Sequence, residues 1–590
     1  MAGQKPPLRR EKHEVDFCVV GGGTAGFAAA IAAARHGAKV VLMQDRPVLG
    51  GNASSEMRVH ICGADGHNGF PNMRETGILE ELRLENLYRN PNRNFSVWDL
   101  LLYEMVKREP NITPLLNCSC LEAKMDGADR IASVTGWQLT TQTYHTVRAA
   151  IFADCSGDAI LAPLTGALFR VGREARSEYG ESIAPEAADR RTMGMTLLFQ
   201  SRKHDSPQPF TPPAWAYRFE RCEDLPYGPT EHRDWWQMGY WWVEFGGEQD
   251  SIGDTEAVRD ELLKITLGVW DHIKNHCGGQ AENWALEWLQ FLPAKRDSRR
   301  YVGEHVLTQQ DILEREGKFE DLIAYGGWGL DDHPSAGFWA VKLNIPAALP
   351  HPRVPSPYGI PYRSLYSRNI RNLMFAGRCA SCSHVAMSST RVMATGMSMG
   401  QAVGTAAAIA ARLKVDPSGV QAHIRELQQA LLRDDCYLPW VPQRFGPLTL
   451  RSKLAASRGD PEPLRDGVNR PVGNDTHAWT CSSGDYVAYL FDGAQKVGGA
   501  TVIVDSALDK LIALSYHQRD DQLSSPPGVM PRRFHVDGLA GGKWSTLVNV
   551  LENHQRLVRL DINRELEGIR WTLDETWGAE ESRLYALYLD

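Results

Sequence analysis

The 590-residue chain carries 64 Lys and Arg against 72 Asp and Glu, a net charge of −8, and 43% of its residues are hydrophobic. A chain of this length exceeds one core and divides into roughly two to four domains, and its acidic balance offers no electrostatic basis for nucleic-acid binding. No apolar run reaches bilayer-spanning length, and the 11 cysteines are scattered as reduced thiols would be.

Residues 1–13 are polar and lack the apolar core of a secretory signal. They read as a disordered leader ahead of a cytoplasmic enzyme. Asp16 to Val20 is then a short apolar strand set against a G-x-G-x-x-G turn, Gly21 to Gly26 with Thr24 and Ala25 inside it, and Phe27 to His36 continues as an Ala-rich helix. Gly21 permits the tight turn, Gly23 lets backbone approach a pyrophosphate, and Gly26 packs helix on strand, while the helix N-terminus offers N–H groups to phosphate. A second strand, Lys39 to Met43, ends in Gln44-Asp45, where a ribose-binding side chain sits in a βαβ unit. Gln44 directly follows the last apolar residue and is preferred, as an acceptor without charge assistance.

A nicotinamide-binding domain would proceed to another helix and strand. Here Arg46 leads into a second donor-rich loop with Gly50, Gly51, Asn52 and Ser55, suited to a cofactor of longer reach. Two distant segments look like further walls. One is a buried strand from Ile151 that ends in Ser156, Gly157 and Asp158. The other is a strand from Asn372 that ends in Gly377 and Arg378 and leads past Arg391 to a small-residue helix with Gly396, Met397 and Gly400.

Together these segments resemble the FAD-dependent oxidoreductases of the glutathione-reductase-like superfamily, in the branch related to fumarate reductase flavoproteins. The resemblance spans about residues 14 to 440 and is strongest in Gly21 to Gly26, Gln44 to Glu56, Arg296 to Glu304 and Gly377 to Gly404. It implies bound FAD, with the last glycine-rich helix directed at the flavin pyrimidine edge. Gln44 departs from the glutamate usual in that superfamily. No second G-x-G-x-x-G follows a strand, so a nicotinamide electron donor is disfavoured. Cys379 and Cys382 have dithiol spacing but follow the third cofactor segment, so a redox pair is the minority reading, and no metal site is expected.

The implied fold class is α/β: a Rossmann-like FAD-binding domain (14–165 and 362–412), an inserted mixed α+β substrate domain (166–361), a helix and linker (413–475) and a β-sandwich (476–590). The aromatic run from Trp215 to Phe245 reads as strand, with Trp236 or Trp241 as a stacking wall. The tail has short strands at 486–491, 500–504, 510–514, 545–548, 556–560 and 583–588 and resembles discoidin-like, galactose-binding-type modules, a carbohydrate-binding, capping or homo-oligomer surface.

With FAD bound, the reaction expected is hydride movement between a substrate carbon and flavin N5. His384 is the first candidate for the base, with His333 as a second acid or base and His60 at the mouth of the site. Arg296 heads a cluster with Arg299 and Arg300 that would clamp a carboxylate or stand as an ion-paired scaffold. Strand alternation would separate Arg299 from the other two. Three functions stay open: oxidation of a carbohydrate or polyol hydroxyl, fumarate-reductase-like chemistry beside a carboxylate, and non-catalytic binding.

Overall fold

A computed structural model of the chain describes residues 8–226, 239–314, 317, 319–343, 345–346, 348–513 and 522–590. Strand β1 (Arg9–Val20), helix α1 (Thr24–Arg35) and strand β2 (Val40–Met43) form the first unit, followed by β3 (Ile112–Leu115), β4 (Cys118–Met125), β5 (Ile131–Gln138) and β6 (Thr143–Asp154). Much later in the chain, β7 (Leu373–Phe375) joins the same sheet and leads to helix α2 (Met393–Leu413). The parallel order is β3-β2-β1-β6-β7, and β5 and β4 form an antiparallel arm on the early half of β6. Phe17 to Val20 and all of β2 are buried, as the continuous apolar runs of a strand covered on both faces require.

Helix α1 is buried through Ala34 because the sheet lies under it and α2 packs over it. The contact is close enough to demand glycine. A Cβ on Gly400 would lie 2.1 Å from the Ala25 carbonyl oxygen, and one on Gly404 2.1 Å from that of Ala29. The disordered leader is corrected for Arg9 to His13, which pair in parallel with Thr143 to Val147. Cross-strand backbone bonds order this polar stretch whatever its side chains, and residues 1–7 lie outside the described residues.

In the inserted region the helix Thr255–Asp271 packs on a core that includes Tyr240, Trp242, Trp270 and Phe338. The expectation of strand across the aromatic run is also corrected. Among the described residues of the run, strand is confined to Glu244–Phe245, with Gly239 and Gly246 on either side at φ of 72° and 95°, a left-handed backbone that interrupts extension. Trp236 lies outside the described residues.

The carboxy-terminal strands are β8 (Lys453–Ala456), β9 (Trp479–Ser482), β10 (Tyr486–Val504), β11 (Pro531–Ala540), β12 (Lys543–Val550), β13 (Leu557–Thr576) and β14 (Glu581–Leu589). The first half of β10 pairs with β8 and with the end of β13, whereas its second half pairs with β14 and the start of β13. The register breaks between Leu490 and Gln495, where both long strands turn from one layer into the other, and Trp479, Phe534, Val536 and Trp571 fill the space between. This is a β-sandwich whose corners are made by strands that switch layers. The expected strand at 510–514 is not formed: Leu511 makes a single bridge to Gln522, and Leu514 lies outside the described residues.

Buried arginines fasten this sandwich to the α/β domain. Arg74 pairs with Glu80 at 2.6 Å and donates to the carbonyl oxygens of Ser506 and Ala507, both at 3.0 Å. From the other side, Arg556 meets Asp435 at 2.8 Å and the Val504 carbonyl oxygen at 2.8 Å.

Candidate active site

A cavity of about 830 Å³ opens at the carboxyl ends of β1, β2, β6 and β7, where ligands of open α/β sheets bind. The sequence-derived residues that line it are Gly21, Gly23, Thr24, Ala25, Gln44, Asp45, Arg46, Gly50, Gly51, Asn52, Ser156, Gly157, Asp158, Gly377, Arg378, Arg391 and Gly396. Four expected cofactor residues stand behind the wall instead. Gly26 and Gly400 carry backbone packing, since a Cβ on Gly26 would lie 1.8 Å from the Gly21 carbonyl oxygen. Met397 is core, and the Ser55 backbone N–H is bound by Asp99 at 3.0 Å.

The cavity fits a long, phosphate-bearing dinucleotide. Gly21 holds φ 99°, and a Cβ there would lie 2.4 Å from the Ser156 nitrogen. Gly23, by contrast, faces open space, with only Gly51 Cα at 3.9 Å. It caps α1 without a side-chain bond, so the first N–H groups of the helix are available to an anion. Asp158 Oδ1, Arg378 Nη1 and Arg391 Nε are buried here with no hydrogen-bond partner, and such groups in a native site await a ligand or water.

Gln44 explains its own departure from glutamate. Its Oε1 accepts the Gly22 N–H at 2.6 Å, and its Nε2 donates to the Val48 carbonyl oxygen at 3.2 Å. A carboxylate has no N–H for Val48. The amide ties the two glycine loops together and keeps one acceptor lone pair for a ribose hydroxyl, whereas Asp45 is exposed.

Five side chains in and behind the cavity wall form a chain of charges: Arg296, Glu244, His333, Asp331 and Arg391, all but Glu244 in the lining. Arg296 Nη2 meets Glu244 Oε1 at 2.5 Å and the Trp241 carbonyl oxygen at 3.1 Å, and Nη1 donates to the Gly194 carbonyl oxygen at 3.2 Å and to Thr196 Oγ1. The guanidinium is spent on protein groups, so the expected carboxylate clamp at Arg296 is corrected to the scaffold reading. His333 Nδ1 bonds Glu244 at 3.0 Å, and Nε2 lies 3.1 Å from Asp331 Oδ1 without an aligned hydrogen bond. Burial opposes charge on His333, but Glu244 and Asp331 outweigh it and raise its pKa above the ordinary value. Arg391 completes the chain by pairing with Asp331 at 2.8 Å.

His384 is corrected as the base. It lies outside the cavity lining, 2% exposed, with Nδ1 on Asp297 and Nε2 on Asp332, each at 3.0 Å. Burial disfavours its charge, yet Asp332 and Asp297 push its pKa up to about 10, so both nitrogens are donors and neither can accept a substrate proton. Because the folded pKa lies above the unfolded one, this imidazolium contributes stability that is full below about pH 6.5 and is lost as pH rises through about 10. Chemical denaturation across that range is expected to show His384→Asn about 3 to 5 kcal/mol less stable than the parent at pH 6.5, with the gap closing toward pH 10.

Arg299 lines the cavity and donates to the Asp158 carbonyl oxygen at 3.3 Å, while Arg300 is fully buried on Glu174 at 2.8 Å. The alternation expected of these arginines fails because strand geometry is confined to Arg300–Tyr301. His60 lines the cavity, as do Trp241, Lys295, Trp328 and Asp331. Of these, sequence reasoning missed Trp328 and Asp331, although Asp331 stands two residues from the candidate His333. Cys379 and Cys382 are buried free thiols away from the cavity, and burial pushes the pKa of Cys382 up to about 12.

A parallel sheet with a glycine turn at its switch point, a helix N-terminus facing the cavity and a second small-residue helix beneath it define a dinucleotide-binding protein of the α/β class. The chain belongs to the FAD dependent oxidoreductase family, whose profile matches residues 16–431. Over 39 residues it is 62% identical to the fumarate reductase (cytochrome) of Shewanella frigidimarina, and equally to that of strain NCIMB 400. Each match covers 7% of this chain and 7% or 6% of the relative. Solved structures similar to part of the chain include chitosan-binding module 1 of a chitosanase/glucanase from Paenibacillus sp. IK-5 (10% identity, 24% of this chain and 97% of that one, TM-score 0.18). Another is the family 32 carbohydrate-binding module of Streptococcus pneumoniae EndoD (10% identity, 24% and 94%, TM-score 0.19). Scores this low add nothing to what the strand register already gives. Among the described residues no helix is long and apolar enough to cross a membrane.

Proposed function

We propose that this oxidoreductase oxidises a hydroxyl group of a carbohydrate or polyol. The observation that carries the reading is the engagement of Arg296 by Glu244 and three protein oxygens, which withdraws the best candidate for gripping a carboxylate. What the cavity offers instead is Trp241 and Trp328 in its lining, apolar faces for the C–H surface of a sugar, next to His333 and the Asp331 carboxylate.

Bound FAD, held by the glycine turn, Gln44, the 50–52 loop and the start of α2, supplies the two-electron acceptor. His333 in its neutral form takes the hydroxyl proton at Nε2, while Glu244 on Nδ1 fixes the ring. Trp241 meets the imidazole in a T-shaped contact, ring centroids 5.7 Å apart, and limits its rotation. Asp331, held by Arg391 at 2.8 Å, stabilises the imidazolium that forms when His333 takes the proton.

Anaerobic titration of the holoprotein tests the reading. A sugar or polyol is expected to bleach the oxidised flavin bands while dicarboxylates leave them unchanged; bleaching or perturbation by dicarboxylates alone would replace it with the second reading. That alternative, reduction or dehydrogenation beside a carboxylate, draws its support from the unpartnered Nε of Arg391 and Nη1 of Arg378.

A further inference from the structure

The loop that follows the second glycine segment gathers His60, Cys62 and His67 against the cavity. One ring nitrogen of each histidine and the Cys62 Sγ all lie within 4.8 Å of one another, and Sγ is 3.6 Å from His67 Nε2. The loop is held in place from several sides. The Cys62 carbonyl oxygen accepts from Ala394 N at 3.0 Å, the Ala64 N–H donates to Glu75 Oε1 at 2.8 Å, and the Ala64 carbonyl oxygen accepts from Ser356 Oγ at 2.7 Å. Gly66, His67 and Asn68 then take left-handed φ of 54°, 54° and 69°, which turns His67 back over Cys62, and the Trp328 ring meets His67 edge-on at 4.9 Å.

We propose that His60, Cys62 and His67 bind one divalent cation of borderline softness, zinc in the first instance, with a fourth coordination position open to the cavity. Two imidazoles and a thiolate are a donor set that selects such an ion over magnesium or calcium. Tetrahedral coordination places ligand atoms about 3.5 Å apart, so side-chain rotation of about 1 Å closes the observed cluster. The thiol proton is released to solvent on binding. Three protein ligands with an open position are the arrangement of zinc sites that act on substrate, and the ligand that suits the vacancy is water or a substrate hydroxyl oxygen. This last assignment deepens the proposed alcohol oxidation and rests on it; the cation site itself does not.

Two other groups of potential ligands, Cys222 with His272 and Cys277, and Glu11 with His13 and His145, lie away from the cavity lining, so they serve as the control. The holoprotein, incubated anaerobically with zinc sulfate and desalted, is expected to retain one zinc per chain by elemental analysis. Cys62→Ser and His67→Ala are expected to weaken retention at least about tenfold with flavin content unchanged, and Cys277→Ser to leave it unaltered. X-ray absorption at the zinc edge is expected to show one sulfur near about 2.3 Å and nitrogens near about 2.0 Å. Failure to retain zinc, retention indifferent to both substitutions, or a first shell without sulfur or with two would overturn the site. If the variants fail to fold, the absorption spectrum of the parent decides. Absence of sugar oxidation with zinc retained would contradict the proposed reaction and leave the cation site standing.

Discussion

Gly23→Val is expected to purify folded but colourless. The glycines of the turn divide into two kinds, and this one separates cofactor binding from folding. At Gly21 and Gly26 an added Cβ collides with the protein's own backbone, so substitution there disturbs the chain whether or not anything is bound. Gly23 has an ordinary extended backbone at φ −62° and ψ −179° and nothing nearer than 3.9 Å to an added Cβ. The Cβ of a valine meets no clash there, and its methyls are expected to take up space at the α1 N-terminus that a pyrophosphate needs. FAD affinity is expected to fall at least about tenfold, the cost of about 1.4 kcal/mol or more, with circular dichroism and elution volume unchanged. A variant that keeps full flavin occupancy would show that the phosphates do not lie on this turn.

His333→Asn is expected to lower the rate of substrate oxidation by about 10² to 10⁴, the usual share of a positioned acid or base, while flavin binding persists. The pH dependence gives the sharper reading. Glu244 and Asp331 raise the His333 pKa above its ordinary value, so the protonated ring persists to higher pH than in a free imidazole and the base form grows as pH rises. Oxidation should therefore speed up with pH through a midpoint above 6.5, and the asparagine variant should lose that limb. Glu244→Gln, which removes the largest raising charge, should move the midpoint down. A parent rate that falls with pH over this range would match an imidazolium donating a proton, as reduction of a carboxylate-bearing substrate requires. An unchanged limb in His333→Asn would remove the residue from the chemistry.

Legibility in the sequence follows the range of the interactions involved. The glycine turn, the Ala-rich helix and the second loop could be read because one short segment carries its own geometric demand, and residues 16–431 do belong to the family those segments suggested. The charge chain could not be read, since it joins residues 244, 296, 331, 333 and 391 from separate elements, and no spacing announces that Glu244 will occupy Arg296. His384 shows the same limit. Its position between two cofactor segments suggested a base, but Asp297 and Asp332, from distant loops, consume both ring nitrogens. Arg9 to His13 look disordered by composition and are ordered by the partner strand alone. In the carboxy-terminal domain, two of the expected short strands, at 486–491 and 500–504, are halves of the single strand β10, because the bend between layers interrupts the apolar pattern without ending the pairing.

The central claim is that the long cavity is a flavin site, and the visible spectrum of the purified protein before and after acid precipitation tests it most directly. The expected result is flavin absorption equivalent to one FAD per chain, released to the supernatant. A colourless protein that takes up no FAD on reconstitution would contradict the account.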